Sequence, residues 1–250
     1  MKLSTKLLLA LFGTTILLSF ITMFKIQQWH REYDKGIYKG NENWIVKEFP
    51  LQAFNSLEVG SHFSIVWHQG SPMVKIKIEE NLQNLIKVDQ TGNHVFIHYD
   101  SLPNYRSNGK IIIDVYSQTL EKIHLKDFME FNAADTIRGP KLELELEDHC
   151  EVNMKIKLDT LLLNMYDFCE LNLAGLCSTS IIRMSGHSQL DGEETKLEQL
   201  EMQMDDFTQA NIRIEKLIKA SLKDHAELDY KGDSVVADIK TRDFSNVNSD

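Results

Sequence analysis

The chain has 250 residues, which is enough for one sizeable domain together with a short anchor. Its formal net charge of −10 argues against a function in nucleic-acid binding, because nucleic acids select basic surfaces. Cysteine use is sparse, with three residues, and the composition fits an exported, water-soluble body.

The N-terminal segment has the pattern of a membrane anchor. Lys2 and Lys6 precede an uncharged and mostly apolar run over residues 7–24. Its 18 residues reach the lower end of the roughly 17–25 that a membrane-spanning helix needs. Because the basic residues come before the run, we expect residues 1–6 to stay in the cytoplasm and the rest of the chain to be exported.

A cleavable signal peptide, followed by secretion of the mature chain, is the alternative interpretation of the same run. No pair of small residues at the spacing of a cleavage site follows it, since residues 23–29 are bulky. The sequence therefore favours an uncleaved transmembrane signal anchor over residues 7–24. A polar and aromatic juxtamembrane spacer is expected over residues 25–48.

Strand signals begin after the spacer. Alternating or β-branched runs that predict strands cover residues 54–67, 73–80, 94–99 and 111–116. Turn-forming residues separate these runs, and the longest loop candidate is residues 101–109. Because this part lacks a tight repeat, we expect its strands to form less regular coils that cap the N-terminal end of the domain.

A short phrase recurs six times in the second half of the chain. The clearest copies are residues 126–131, 147–152 and 166–171, which read KDFMEF, EDHCEV and YDFCEL. The six copies align on Asp127, Asp148, Asp167, Gly186, Asp206 and Asp224. The steps between them are 21, 19, 19, 20 and 18 residues. A near-constant period of this size is typical of a solenoid.

Each copy has apolar residues at two fixed places. Two residues before the aligned position stand Leu125, Leu146, Met165, Met184, Met204 and Leu222, and four residues after it stand Phe131, Val152, Leu171, Leu190, Ala210 and Leu228. Between them polar and apolar residues alternate with period two, which places one set on one face of a strand. The sequence predicts an all-β, single-domain parallel β-solenoid over residues 49–244, with coils of 18–21 residues and a polar tail at 245–250.

Two further columns are expected to point outward. One residue after the aligned position stand Phe128, His149, Phe168, His187, Phe207 and His225, and three residues after it stand Glu130, Glu151, Glu170, Gln189, Gln209 and Glu227. An earlier residue, His62, fits the ring column. If the coils stack, neighbouring rings lie about 4.8 Å apart. We predict that the six rings, with Glu130, Glu151 and Glu170, form an exposed ladder that binds a sugar chain or a partner protein. The alternative is that like residues stack only for their own cross-strand energy.

Chemistry other than binding has weaker support. In a solenoid, Asp127, Asp148 and Asp167 would approach the separation of about 5–5.5 Å of a retaining glycosidase pair. However, Asp stands in five of the six copies, which indicates a repeat position rather than a catalytic one. The histidines of the ring column would lie two coils apart, about 9–10 Å, which is too far to share one zinc ion. We therefore expect no catalytic residue, no metal site and no cofactor.

Two cysteines have two possible states. Cys150 and Cys169 fall at the same inward position of adjacent coils, where they could approach disulfide distance. Otherwise they remain small core residues, which is the more frequent outcome for stacked thiols. Cys177 has no evident partner.

The order and extent of these motifs resemble the head GIN domain, a bacterial envelope family described as an auto-transporter adhesin domain. That family repeats an apolar–Ser-Gly-Ser-Gly–x–apolar phrase in each coil, and residues 184–190 (MSGHSQL) match it best. Residues 54–59 are similar to its first strand, and residues 227–232 to its terminal phrase. The resemblance covers residues 49–248, although this sequence has Asp at most of the motif glycines and Phe or His at the serines between them. It implies a parallel β-solenoid in the cell envelope and supplies no catalytic residues.

Together these patterns predict a non-enzymatic binding or adhesin-like scaffold protein of the cell envelope. We expect the N-terminal helix to hold it in the membrane, with the solenoid in the periplasm or on the cell surface. Its other partner is expected to be a protein or a glycan. The alternatives are a polysaccharide-active β-helical enzyme and an accessory protein of envelope signalling.

Overall fold

The computed structural model of the protein describes residues 3–35, 38–60, 62–100, 105–107, 109–232 and 236–249. In the N-terminal helix, the described side chains are those of residues 12–28. Much of the predicted loop at 101–109 lies outside the described residues, as do residues 1–2 of the predicted cytoplasmic segment.

The N-terminal part of the chain forms one long helix, α1 (Leu3–Lys35). Its described side chains include nine large apolar residues that are exposed: Phe12, Ile16, Leu17, Leu18, Phe20, Ile21, Met23, Phe24 and Ile26. Even so, no helix among the described residues is both long enough and apolar enough to cross a membrane. The transmembrane span expected over residues 7–24 is therefore not confirmed, and the side chains of residues 7–11 lie outside the described set.

The strands of the first half of the body are short. They are β1 (Tyr38–Lys39), β2 (Trp44–Pro50), β3 (Ser56–Gly60), β4 (Ser64–Gln69), β5 (Met73–Glu79), β6 (Ile86–Thr91), β7 (His94–Tyr99), β8 (Tyr105–Arg106), β9 (Ile112–Ser117), β10 (Lys122–Lys126) and β11 (Glu130–Ala133). A 3₁₀ turn at Glu80–Leu82 separates β5 from β6.

The strands of the second half are mostly longer. They are β12 (Ile137–Glu147), β13 (Glu151–Met165), β14 (Glu170–Met184), β15 (Gln189–Met204), β16 (Gln209–Leu222), β17 (Glu227–Lys231), β18 (Val236–Thr241) and β19 (Asn246–Ser249). In the described chain, seventeen of the strands belong to one continuous sheet, and β1 pairs with β8 separately.

The sheet is wound into a solenoid with two parallel ladders. The first ladder runs through β7, β3 and β10, then the C-terminal halves of β12–β16, and ends at β18. The second runs through β9, β4 and β11, then the N-terminal halves of β13–β16, and continues through β17 to β19. The predicted all-β parallel β-solenoid is thus confirmed.

The strands of the central coils are long. The strands β13–β15 run for 15 or 16 residues, and each crosses from the second ladder to the first. Pairing skips one position at the crossing, for example at Asp159 and Ser178. Because the crossing interrupts the pairing at only one residue, the strand continues through it.

The N-terminal end is closed by antiparallel strands. In this end, β5 pairs antiparallel with both β2 and β9, and β6 pairs antiparallel with β7. These pairings occupy the ladder edges at that end, so the irregular first half does act as a cap, as expected from its lack of a repeat. This antiparallel pairing begins at Trp44, and β1 already pairs with β8, so strands occupy part of the segment that we expected to be a spacer.

The core is a stack of like residues. Both predicted apolar columns are at most 2% exposed, from Leu125 to Leu222 in one and from Phe131 to Leu228 in the other. The N-terminal half adds larger side chains, among them Trp67 and Phe63. Since each coil buries its residues against the coils above and below, no coil could hold its core alone.

Candidate binding ladder at the corners of the coils

The six aligned positions form a tight corner between the two ladders. At Asp127 and Phe128 both residues have positive φ, 66° and 60°, and the same is true at Asp167 and Phe168, 51° and 60°. Two consecutive positive φ angles define a type I′ turn, in which Asp is tolerated well. The Asp column therefore has a structural explanation, which is the need for a sharp turn once per coil.

In four of the six coils the second corner position is unusual, because a bulky side chain there has positive φ: Phe128, His149, Phe168 and His225. Positive φ is rare for such residues and costs on the order of 1–3 kcal/mol. The stacked backbone offsets part of this cost, since the amides of Phe128, His149 and His225 each donate to the next corner. The Phe128 N–H donates to the Asp148 carbonyl at 2.8 Å, and the His149 N–H donates to the Asp167 carbonyl at 3.0 Å.

The ring side chains stack into one continuous row. Among the described residues it contains eight rings: His62, Phe128, His149, Phe168, His187, Phe207, His225 and Phe244. Neighbouring centroids lie 4.5–5.4 Å apart, and the ring planes are 2–19° from parallel. We call this row the ring ladder. It brings together all six predicted ring residues and His62, which the sequence also placed in the column, and it adds Phe244 at the C-terminal end.

The ring ladder lies on the outside of the solenoid. Phe128, Phe168 and Phe207 are 52–55% exposed, and the histidines between them are exposed as well. Because each ring face is covered by the next ring, the ladder presents ring edges to solvent. These edges alternate between apolar C–H groups and imidazole nitrogens that donate or accept hydrogen bonds. Whether the ladder binds anything stays a prediction.

The predicted carboxylate column lies beside the ring ladder. Glu130, Glu151 and Glu170 are direct partners in the second ladder, and Gln189, Gln209 and Glu227 continue the row. The Lys110 ammonium pairs with Glu130 and holds the pKa of that carboxyl below its usual range. The two rows together form a strip along the solenoid, apolar and aromatic on one side and polar on the other.

The small residues beneath the corners also donate hydrogen bonds to the backbone. Cys150, Cys169 and Ser188 are buried, and each donates to the carbonyl three residues before it, at 2.9–3.1 Å. Their donors add hydrogen bonds to carbonyl groups at the start of each turn. The structure has all three cysteines of the chain as free, buried thiols. Burial raises the pKa of the Cys177 thiol.

A further polar row was not predicted from the sequence. It contains Asn132, Asn153, Asn172, Asp191, Asn211, Asp229 and Asn248, which are cross-strand partners in order. The Asn153 amide donates to the Asn132 oxygen at 3.1 Å, and Asn172 donates to Asn153 at 2.9 Å. The signal was present in the sequence, because an Asn or Asp stands five residues after each aligned position.

Comparisons with known structures agree with the solenoid. A crystal structure from Bacteroides fragilis NCTC 9343, named a "putative adhesin", covers 85% of this chain and 99% of its own, with a TM-score of 0.80 and 16% identity. One from Parabacteroides merdae ATCC 43184 with the same description covers 86% and 99%, with a TM-score of 0.70 and 16% identity. A "putative lipid binding protein" from Parabacteroides distasonis ATCC 8503 covers 85% and 98%, with a TM-score of 0.65 and 16% identity. At these identities the likeness concerns the fold.

None of the curated proteins matches this chain in sequence. A family sequence model, described as "Putative auto-transporter adhesin, head GIN domain", matches residues 53–234. That stretch includes the ring ladder from His62 to His225, and it is most of the solenoid. The chain therefore belongs to the head GIN domain family of adhesin-like proteins.

Proposed function

We propose that the protein is a non-enzymatic scaffold of the cell envelope that binds a neutral polysaccharide along the ring ladder. The observation that carries this proposal is the unbroken row of stacked, half-exposed rings beside a row of carboxylates and amides. Membership in an adhesin-like family supports a binding role and an exported location.

The shape of the strip favours a linear ligand. Rings recur at every coil, so a polymer that runs along the solenoid axis repeats the same contact from one coil to the next. Ring edges contact the apolar C–H surface of a sugar, while carboxylates, amides and imidazoles accept or donate bonds to its hydroxyl groups. The individual contacts are weak, and many equivalent contacts add up by multivalency.

The charge of the strip favours a neutral sugar chain over an acidic one. Glu151 and Glu170 are exposed neighbours, and no salt bridge of either is present among the described residues. An acidic polysaccharide would meet like charge along this row and would be repelled. A neutral chain carries only the cost of partial desolvation.

Affinity electrophoresis of the detergent-solubilised full chain tests the proposal, with gels that contain single neutral polysaccharides or one acidic polysaccharide. We expect a neutral polysaccharide to retard the protein. The double variant Phe128→Asn/Phe168→Asn should bind at least about tenfold more weakly, a loss of ~1.4 kcal/mol. Asn suits both corners because it tolerates positive φ better than most residues.

Leu176→Asn is the matched control, because Leu176 is another exposed apolar residue of the solenoid, 46% exposed, outside the strip. Its retardation should equal that of the unchanged protein. Circular dichroism shows whether each variant keeps its strands. Equal retardation of the double variant, or no retardation by any neutral polysaccharide, rejects the proposal and leaves the rings with a structural role.

A further inference from the structure

A second group of polar side chains lies on the outer face of the first ladder, away from the corners. Here β3, β10 and β12 run side by side, with β10 in the middle. Cross-strand pairing places Glu58 and Glu145 on either side of His124, and it places Glu147 opposite Lys126. All of these side chains are half-buried.

Three of these residues converge on one point. A ring nitrogen of His124 and carboxylate oxygens of Glu145 and Glu147 all lie within 4.8 Å of one another. The His124 Nε2 atom is 3.5 Å from the Glu147 Oε1 atom. This nitrogen is buried from solvent and has no hydrogen-bond partner among the described residues. A buried nitrogen without a partner is costly, so it needs an explanation.

An ordinary ion pair does not explain the spacing. An imidazolium that pairs with a carboxylate closes to about 2.7–2.9 Å. Two other histidines of this protein come close to that distance: the Nε2 atom of His68 is 3.0 Å from Asp114, and that of His98 is 2.8 Å from Asp89. The Nε2 atom of His94 is 3.5 Å from Glu58, but that side chain is 40% exposed and can bond to water instead. His124 has carboxylates on both sides, yet no carboxylate oxygen lies at ion-pair hydrogen-bond distance from its ring nitrogens.

The separation between His124 and Glu147 fits a metal ion between the two groups, with Glu145 near enough to complete the set. Ligand nitrogen and oxygen atoms lie about 2.0–2.2 Å from Zn²⁺, and two such ligands of a tetrahedron are about 3.4 Å apart. The observed 3.5 Å between the His124 and Glu147 atoms is close to this value. Two carboxylates also supply the negative charge that a divalent cation needs.

A fourth residue places a carboxylate behind the imidazole, beyond direct hydrogen-bond distance. The other ring nitrogen, Nδ1 of His124, faces the Glu58 Oε1 atom at 3.9 Å. Lys126 holds that carboxylate in place, with its Nζ atom 3.2 Å from Glu58 Oε1. A carboxylate behind a histidine is the usual arrangement around a metal ligand, because it selects the tautomer and raises the basicity of the ligand nitrogen.

We propose that His124, Glu145 and Glu147 bind one Zn²⁺-like divalent ion, with Glu58 as the positioning residue behind the histidine. A fourth coordination position is left for water or for a carboxylate of a ligand. The ion joins β10 to β12, and so it ties the irregular N-terminal cap to the regular coils. This site is independent of the ring ladder and of its proposed ligand.

The test uses the full chain without a histidine tag and with Co²⁺ and Zn²⁺ as probes. We expect calorimetry to show one Zn²⁺ bound per chain and Co²⁺ to give the visible absorption band of a four-coordinate site. Zn²⁺ should also raise the melting temperature, since a ligand that binds the native state stabilises it. His124→Asn should abolish the band and the shift in melting temperature. Glu58→Gln should weaken Zn²⁺ binding about ten- to a hundredfold.

Two control variants separate this site from general surface binding. Glu143→Gln removes a carboxylate of β12 that lies outside the converging group. This carboxylate pairs with Lys122 at 2.8 Å. His187→Asn removes an exposed imidazole of the ring ladder. Both should bind Zn²⁺ as the unchanged protein does. Unchanged Zn²⁺ binding in His124→Asn, or no binding to the folded native chain, overturns the proposal. If His124→Asn does not fold, the Glu58→Gln affinity decides.

Discussion

At the scale of single residues, the molecule depends on a few positions where only particular side chains fit the stack. Gly175 is the clearest of these, with φ of 117°, a conformation that L residues rarely adopt. A Cβ atom at this position would lie 2.0 Å from the Ile156 carbonyl oxygen in the adjacent coil. The close approach of two backbones thus requires glycine here, in the middle of β14.

We expect Gly175→Ala to lower the free energy of unfolding by about 3 kcal/mol, because the backbone of one coil must move away from the next. Urea denaturation followed by circular dichroism measures the loss. Gly192→Ala is the control, since a Cβ there meets only ordinary contacts at 3.4–3.5 Å. It should change stability by less than about 1 kcal/mol. Similar midpoints for the two variants would show that β14 relaxes at little cost.

At the scale of elements, α1 has an exposed apolar surface that the solenoid architecture does not account for. Its described side chains expose nine large apolar residues, and leaving such surface in water is unfavourable by about 25 cal/mol per Å². An exposed apolar surface of this kind marks an interaction with a membrane or a protein. We propose membrane attachment through α1, in line with the expected membrane partner.

We expect the full chain to sediment with membranes and to resist extraction by salt. The variant Leu17→Glu/Phe20→Glu should shift at least half of the protein to the supernatant, because two charges in the apolar surface oppose burial. Fractionation with immunoblotting measures the distribution. Leu176→Glu places a charge on the solenoid instead and should sediment normally. A native chain in the supernatant would contradict membrane attachment.

At the scale of the whole molecule, the protein is a stack in which each coil contacts mainly its neighbours. In such a molecule, stability is a sum of coil and interface terms and differs along the axis. The central strands β13–β15 pair on both sides. In the described chain, β18 pairs only with β16, and β19 only with β17, while most of their residues are exposed.

We therefore expect hydrogen exchange to be slowest in β13–β15 and fastest in β18 and β19, with a difference of at least about a hundredfold in amide protection. Mass spectrometry of the peptides after timed labelling measures it. The ring ladder gives an internal check, since the amide of His149 should be protected and that of the terminal ring residue Phe244 should not. Uniform protection would indicate that the coils unfold as a single unit.

The repeat alone determined the architecture of the second half. Every coil meets the same environment above and below, so each structural position selects the same kind of residue every 18–21 residues. For this reason the inward columns and the row of six rings could be predicted from the sequence. The row of Asn and Asp residues had the same signal, five residues after each aligned position, and could have been read in the same way.

Only the tertiary structure decided the features that no period encodes. The antiparallel cap depends on which irregular strands meet, for example β5 between β2 and β9, and chain order does not specify that. The convergence of His124 with Glu145 and Glu147 depends on the register of β10 against β12, since these residues lie 21 and 23 positions apart. Repetition makes a contact visible in sequence, whereas a contact that occurs once appears only when the fold brings its residues together.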